Sequence, residues 1–144
     1  SYRTFWPASD RVDPRRFYLY DLVAGRFFAS EDGGTTWTVA STVPRDGGRF
    51  RPVPGRALEG WLPAPNGLHR TTDGGRTFNR LPGVDSALQV GFGRAAPGSD
   101  RPTVFLAGTV GGIYGIHRSI DGGVSWTRLN DQTRQFGYIN ALAG

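Results

Sequence analysis

The chain has 144 residues, enough for one ordinary domain with its own core, and it contains no cysteine. That excludes a disulfide framework and any Cys-based zinc or redox site. All 17 basic residues are arginine, against 12 acidic residues, for a net charge of +5; they are spread from Arg3 to Arg134 without a nucleic-acid-binding motif, so no nucleic-acid partner is expected.

High Gly, Pro, Thr and aromatic content, with no Ala/Leu/Glu-rich stretch at helical spacing, predicts an all-β fold. No apolar run approaches the roughly 18 residues of a membrane span, and no apolar leader is present, so no membrane partner is expected. Methionine is absent even at position 1, which is expected of a processed or excised piece.

In chain order, β-type runs occur at Phe17-Tyr18-Leu19-Tyr20, Arg26-Phe27-Phe28-Ala29 and Thr36-Trp37-Thr38-Val39. A second set follows at Gly60-Trp61-Leu62, Gly67-Leu68-His69-Arg70 and Thr77 to Leu81. A third lies at Thr103 to Ala107, Ile113 to Arg118 and Ser125 to Leu129. A fourth strand per set is expected from the linkers, such as Leu88-Gln89-Val90-Gly91-Phe92. Residues 43–56, 63–67 and 93–102, rich in Gly, Pro and Arg, read as surface connections.

The three sets share one motif, aligned without gaps. Ser30-Glu31-Asp32-Gly33-Gly34-Thr35-Thr36-Trp37, Thr71-Thr72-Asp73-Gly74-Gly75-Arg76-Thr77-Phe78 and Ser119-Ile120-Asp121-Gly122-Gly123-Val124-Ser125-Trp126 all read Ser/Thr-x-Asp-Gly-Gly-x-Thr/Ser-Trp/Phe. This is the Asp-box pattern. Asp followed by Gly-Gly permits the positive φ of a tight turn, the carboxylate accepts backbone N–H groups inside it, and the hydroxyls tie the arms together. The aromatic residue is expected to fold back over the turn. Three identical settings argue for a structural clasp at Asp32, Asp73 and Asp121, since one active site has no use for three copies.

Asp32 and Asp73 are 41 positions apart, and Asp73 and Asp121 are 48 apart, close to the repeat of a four-stranded β-propeller blade. One partial propeller over 1–144 is expected, with blade-like units at about 10–42, 57–83 and 86–131 and the start of a further blade at 132–144. About three blades fall short of the four or more that close a ring, so the remaining blades, or further copies of the chain, are expected as partners.

The text between the boxes resembles glycoside hydrolase family 74, the xyloglucanases and related endo-β-1,4-glucanases. The resemblance rests on Asp10-Arg11-Val12-Asp13-Pro14 leading to Phe17-Tyr18, on Gly91-Phe92-Gly93-Arg94-Ala95-Ala96-Pro97-Gly98, on Leu106-Ala107-Gly108-Thr109-Val110, and on His117-Arg118-Ser119 through Asp131. Their order is similar to that of the later blades of the family's second propeller. Where family members carry a His-Gln-Tyr-Gly-like stretch, this chain has Arg134-Gln135-Phe136-Gly137, and it stops at Ala141-Leu142-Ala143-Gly144 without a further Gly-Arg-Gly strand.

The resemblance implies a secreted, extracellular enzyme of two propellers that hydrolyses β-1,4-glucan with inversion, through an acid and a base on separate carboxylates. Neither catalytic carboxylate has a matching position here, so no catalytic residue is assigned and this segment is expected to supply scaffold and glycan-binding surface. Asp21 and Glu59, at strand ends, are the carboxylates with some claim to a cleft. Trp6, Trp61 and Tyr114, outside the boxes, are candidates for stacking on xyloglucan, against the alternative that they pack between blades. His69 and His117 lack partners at ligand spacing, so neither metal nor cofactor is expected. The rival readings are a non-catalytic Asp-box propeller that binds protein or glycan, as in sortilin-like receptors, and a self-associating propeller fragment.

Overall fold

A computed structural model describes residues 5–129. The expected continuation at 132–144, including Arg134 to Gly137, lies outside the described residues. Twelve strands form three four-stranded antiparallel sheets, with no helix among the described residues. The first sheet contains β1 (Phe5–Ser9), β2 (Phe17–Asp21), β3 (Arg26–Ser30) and β4 (Thr38–Thr42), in that order. The second contains β5 (Arg51–Pro52), β6 (Gly60–Ala64), β7 (Gly67–Thr71) and β8 (Asn79–Arg80). The third contains β9 (Val84–Gly93), β10 (Thr103–Val110), β11 (Ile113–Ser119) and β12 (Thr127–Arg128). Each sheet is a meander in which every strand pairs with its neighbour in sequence, as short turns between antiparallel strands dictate.

Alternation along the strands builds two cores between three sheets. In β2 and β3, Tyr18, Tyr20 and Phe27 point to one side and meet Phe50 and Leu62 of the second sheet. Trp61 and Leu68, on the opposite face of the second sheet from Leu62, meet Val84, Val90, Val104 and Leu106 of the third. A period-2 pattern on a sheet covered on both sides produces this split, with neighbouring residues serving different cores.

Two stretches depart from the sequence expectation. Residues 43–56 hold β5 and place Phe50 and Val53 inside the two cores, 2% exposed each, so this segment is not a surface connection throughout. Its Gly and Pro content masks the fact that Phe50 packs edge-on against Phe27 with centroids 4.7 Å apart. Pro63 and Ala64 likewise belong to the buried strand β6, and the turn is reduced to Pro65 and Asn66. The first sheet also takes β1 from Phe5–Ser9, a run without hydrophobic alternation that pairs with β2 from Phe5↔Asp21 to Ser9↔Phe17.

Candidate functional site

The three Asp boxes superpose in their hydrogen bonding. Ser30 Oγ donates to Asp32 Oδ1 at 2.8 Å and accepts the Gly34 N–H at 2.8 Å. Asp32 then accepts the Thr36 N–H at Oδ1 (2.9 Å) and the Thr36 hydroxyl at Oδ2 (2.5 Å). Thr71, Asp73, Gly75 and Thr77 repeat this arrangement, and so do Ser119, Asp121, Gly123 and Ser125. The paired glycines carry φ of 76° and 93°, 75° and 90°, and 72° and 88°, in the left-handed region that a side chain disfavours. Hydroxyl and amide donors to the ionised form hold Asp32 and Asp121 down to about 2. For Asp73 burial works upward, but the donors from Thr77 and Thr71 outweigh it and the net shift is downward.

The box aromatics take two roles. Trp37 folds over its own turn, its indole N–H donating to Gly34 O at 3.0 Å, and is 37% exposed. Phe78 instead packs on the first sheet, 5.1 Å from Phe27, and Trp126 packs on the core between the second and third sheets. A preceding sheet is present for the second and third boxes and gives their aromatics a surface to cover.

Trp6, Trp61 and Tyr114 are not brought into one site. Trp61 is 1% exposed, edge-on to Phe92 at 6.0 Å, so this indole offers no face to a sugar and realises the packing alternative. Tyr114, at the start of β11, is 57% exposed on the face of the third sheet turned away from the second. Trp6 is half-buried on β1 with the Arg49 guanidinium 4.9 Å over its ring.

Three carboxylates outside the boxes are committed to structure. Asp21 Oδ1 accepts the N–H groups of Val23 and Ala24 at 3.1 Å each. Glu59, 7% exposed, sits between Arg70 (3.2 Å) and Arg101 (3.1 Å), tying the second sheet to the loop before β10. Asp10, buried, accepts four donors: the N–H groups of Val12 and Asp13 at Oδ1, and the Tyr18 hydroxyl and Leu58 N–H at Oδ2. Both imidazoles are engaged, His69 Nε2 with Asn66 Oδ1 at 2.9 Å and His117 Nε2 with Ile113 O at 3.0 Å. Among the described residues no cluster of three or more His, Cys, Asp or Glu could hold a metal ion.

Two of the clefts lie along β1, β5 and β9, the first and innermost strand of each sheet. A cleft of about 480 Å³ is lined by Pro7, Arg11, Arg49, Phe50, Arg51 and Pro52 among others, and a second of about 310 Å³ by Trp6, Gly48, Arg49, Arg51 and residues 88–90. They share Arg49 and Arg51, so the two guanidinium groups stand between them. Desolvation first, and then the Arg49 charge, lower the pKa of Arg51. The sequence shows Arg45, Arg49, Arg51 and Arg56 as one loose group. The structure divides it, sending Arg56 to Asp100 at 3.7 Å and leaving Arg49 and Arg51 together. Nothing in the sequence distinguishes these two, because their neighbours in the cleft come from β1 and β9.

No family model matches the chain. Among curated proteins it is 41% identical over 141 residues to a xyloglucanase of Acetivibrio thermocellus, covering 95% of this chain and 16% of that protein. It is 37% identical over 145 residues to a xyloglucanase of Paenibacillus, covering 94% of this chain and 14% of the relative. Among solved structures, the Niastella koreensis glycoside hydrolase family 74 enzyme superposes with a TM-score of 0.84 at 35% identity, over 88% of this chain and 19% of the enzyme chain. The chain thus spans less than a fifth of the length of these relatives. In sequence over nearly its whole length, and in its three Asp-box sheets, the chain belongs with glycoside hydrolase family 74, as a stretch of β-propeller.

Proposed function

We propose that the protein to which this stretch belongs is a xyloglucanase-type glycoside hydrolase acting on β-1,4-glucan backbones outside the cell, and that these three sheets supply propeller wall and glucan-facing surface. The observation that carries the reading is identity of 37–41% to xyloglucanases sustained over 94–95% of the chain, linkers included. The Asp-box motif alone carries no such substrate information. The acid and base belong to other parts of the protein: Asp10, Asp21, Asp32 and Glu59 are engaged in turns and ion pairs, and among the described residues no two carboxylates line one cleft.

Further blades are the partners this reading requires. Phe5 and Phe28, with ring centroids 6.4 Å apart, and exposed Trp37 and Val39 lie on the first sheet where no preceding sheet covers them. The equivalents of Trp37 in the second and third sheets, Phe78 and Trp126, are covered by a neighbour. Tyr114 is the aromatic proposed to contact glucan; its ring is open on the outer face of the third sheet, which a following blade and a glucan chain would share. Isothermal titration of the whole protein with xyloglucan oligosaccharides tests the function, with binding in preference to unbranched cello-oligosaccharides expected. Absence of binding to both overturns it and favours a non-catalytic propeller.

A further inference from the structure

We propose that the inner-strand cleft around Arg49 and Arg51 binds a carboxylate-bearing sugar, a uronate unit of an acidic glycan. Three guanidinium groups, of Arg11, Arg49 and Arg51, line one concavity, and among the described residues none has a carboxylate within ion-pairing distance. Of the acidic groups near them in sequence, Asp46, three residues before Arg49, is exposed and forms no ion pair with any of the three, and the others are occupied elsewhere. Asp10 holds four donors, Asp13 pairs with Arg15, and Glu59 lies between Arg70 and Arg101. Arg11 and Arg49 are exposed, whereas Arg51 is half-buried beside the like charge of Arg49, an arrangement that an incoming anion relieves.

The geometry favours a planar oxyanion. The Arg49 guanidinium carbon is 4.9 Å from the centre of the Trp6 ring, within range of cation–π attraction, and a guanidinium fork matches a carboxylate in bidentate pairing. Arg51, in β5, lines the same two clefts as Arg49 and is close enough to feel its charge.

The carrier is a sugar rather than a peptide because of what lines the walls. An acidic peptide would dock by adding a strand to the edges of the sheets, but β1 carries Pro7 and β5 carries Pro52, which offer no N–H to a new ladder, so of the three first strands β9 alone presents a proline-free edge. The exposed ring of Pro7 and the half-buried ring of Pro54 present apolar surface of the kind that packs on the C–H face of a pyranose. The choice of a sugar rests on the glycan reading above, whereas the demand for negative charge rests on the arginines alone.

The test is isothermal titration of the full chain with trigalacturonate, cellotriose and triaspartate. Trigalacturonate is expected to bind at least about tenfold more tightly than the other two and to weaken between about 0.05 and 0.5 M salt. Arg49→Gln/Arg51→Gln should lose at least about tenfold of that affinity, while Arg94→Gln, which removes an exposed charge outside the cleft, should keep it. Arg51→Gln alone, with an unchanged near-ultraviolet circular dichroism spectrum, serves should the double variant not fold. Equal affinity for cellotriose, equal or tighter binding of triaspartate, or indifference to loss of Arg51 each overturns the proposal. None of these results bears on xyloglucan recognition, which the titration of the whole protein decides separately.

Discussion

Gly75 lies against the ring of Phe27. A Cβ built on this glycine would overlap Cε1 and Cδ1 of the phenylalanine. Gly123 stands in the same relation to Trp61, whose Cη2 would be 2.9 Å from an added Cβ, whereas Gly34 meets only its own box's Trp37, at 3.8 Å. The second glycine of an Asp box therefore has two duties: it adopts a left-handed turn, and it lets an aromatic of the preceding sheet seat against the backbone. Ser41 adds a polar tie at the same place, donating to Gly75 O at 2.5 Å.

Substituting these glycines separates the two duties. Gly34→Ala pays the backbone strain of positive φ, about 1–2 kcal/mol. Gly75→Ala pays that and displaces Phe27, for about 1–3 kcal/mol more. Urea denaturation of the two variants measures the difference, and equal destabilisation would mean that the Phe27 contact contributes nothing.

Asp10 is the strongest polar link between the first two sheets, since its Oδ2 accepts both Tyr18 of β2 and Leu58 of the following linker. Asp10→Asn places an amide where both oxygens accept, and a loss of about 2–3 kcal/mol is expected. The same change should lower the Tyr18 pKa, which burial raises first and the Asp10 hydrogen bond and charge raise further. Phenolate absorbance during an alkaline titration reads this directly.

Glu59→Gln removes the anion between Arg70 and Arg101. Because both arginines keep partial contact with water, the loss should fall at the low end for a buried pair, about 3 kcal/mol. Glu59→Asp, which keeps the charge, should not recover it, since the shorter side chain cannot reach both guanidinium groups; thermal melting of the two variants checks this.

Acid should destabilise the fold in two stages. Burial lowers the pKa of His69 and His117, so their contribution is complete above the unfolded value near 6.5 and declines as pH falls below it. Asp32 and Asp121, held at about 2 by their box donors, contribute fully above the unfolded carboxylate value near 3.8 and lose that contribution as pH falls towards 2. Tyr18 and Tyr20, both raised, act at the other end: their contribution is intact below pH 10 and declines above it. Chemical denaturation between pH 2 and 11 should therefore show a plateau from roughly 7 to 10; a maximum below pH 5 would contradict these assignments.

The scaffold was legible because its information is local. Ser/Thr, Asp, Gly-Gly and the second Ser/Thr of each box bond to one another within eight residues, so spacing alone announces the turn. The inter-sheet contacts were not legible, because Phe27 with Gly75 and Asp10 with Leu58 join residues 48 positions apart with no pattern between them. Phe50 and Val53 were hidden by the Gly, Pro and Arg around them, and Trp61 reads the same in sequence whether it faces sugar or core. The arginine cleft is assembled from three inner strands, and only the fold brings Trp6, Arg49 and residues 88–90 together.

Release of reducing ends from xyloglucan by the whole protein tests the central claim most directly. The account predicts steady release from xyloglucan and no loss of the Asp-box fold on binding. A whole protein that folds, carries these sheets and releases none would contradict it.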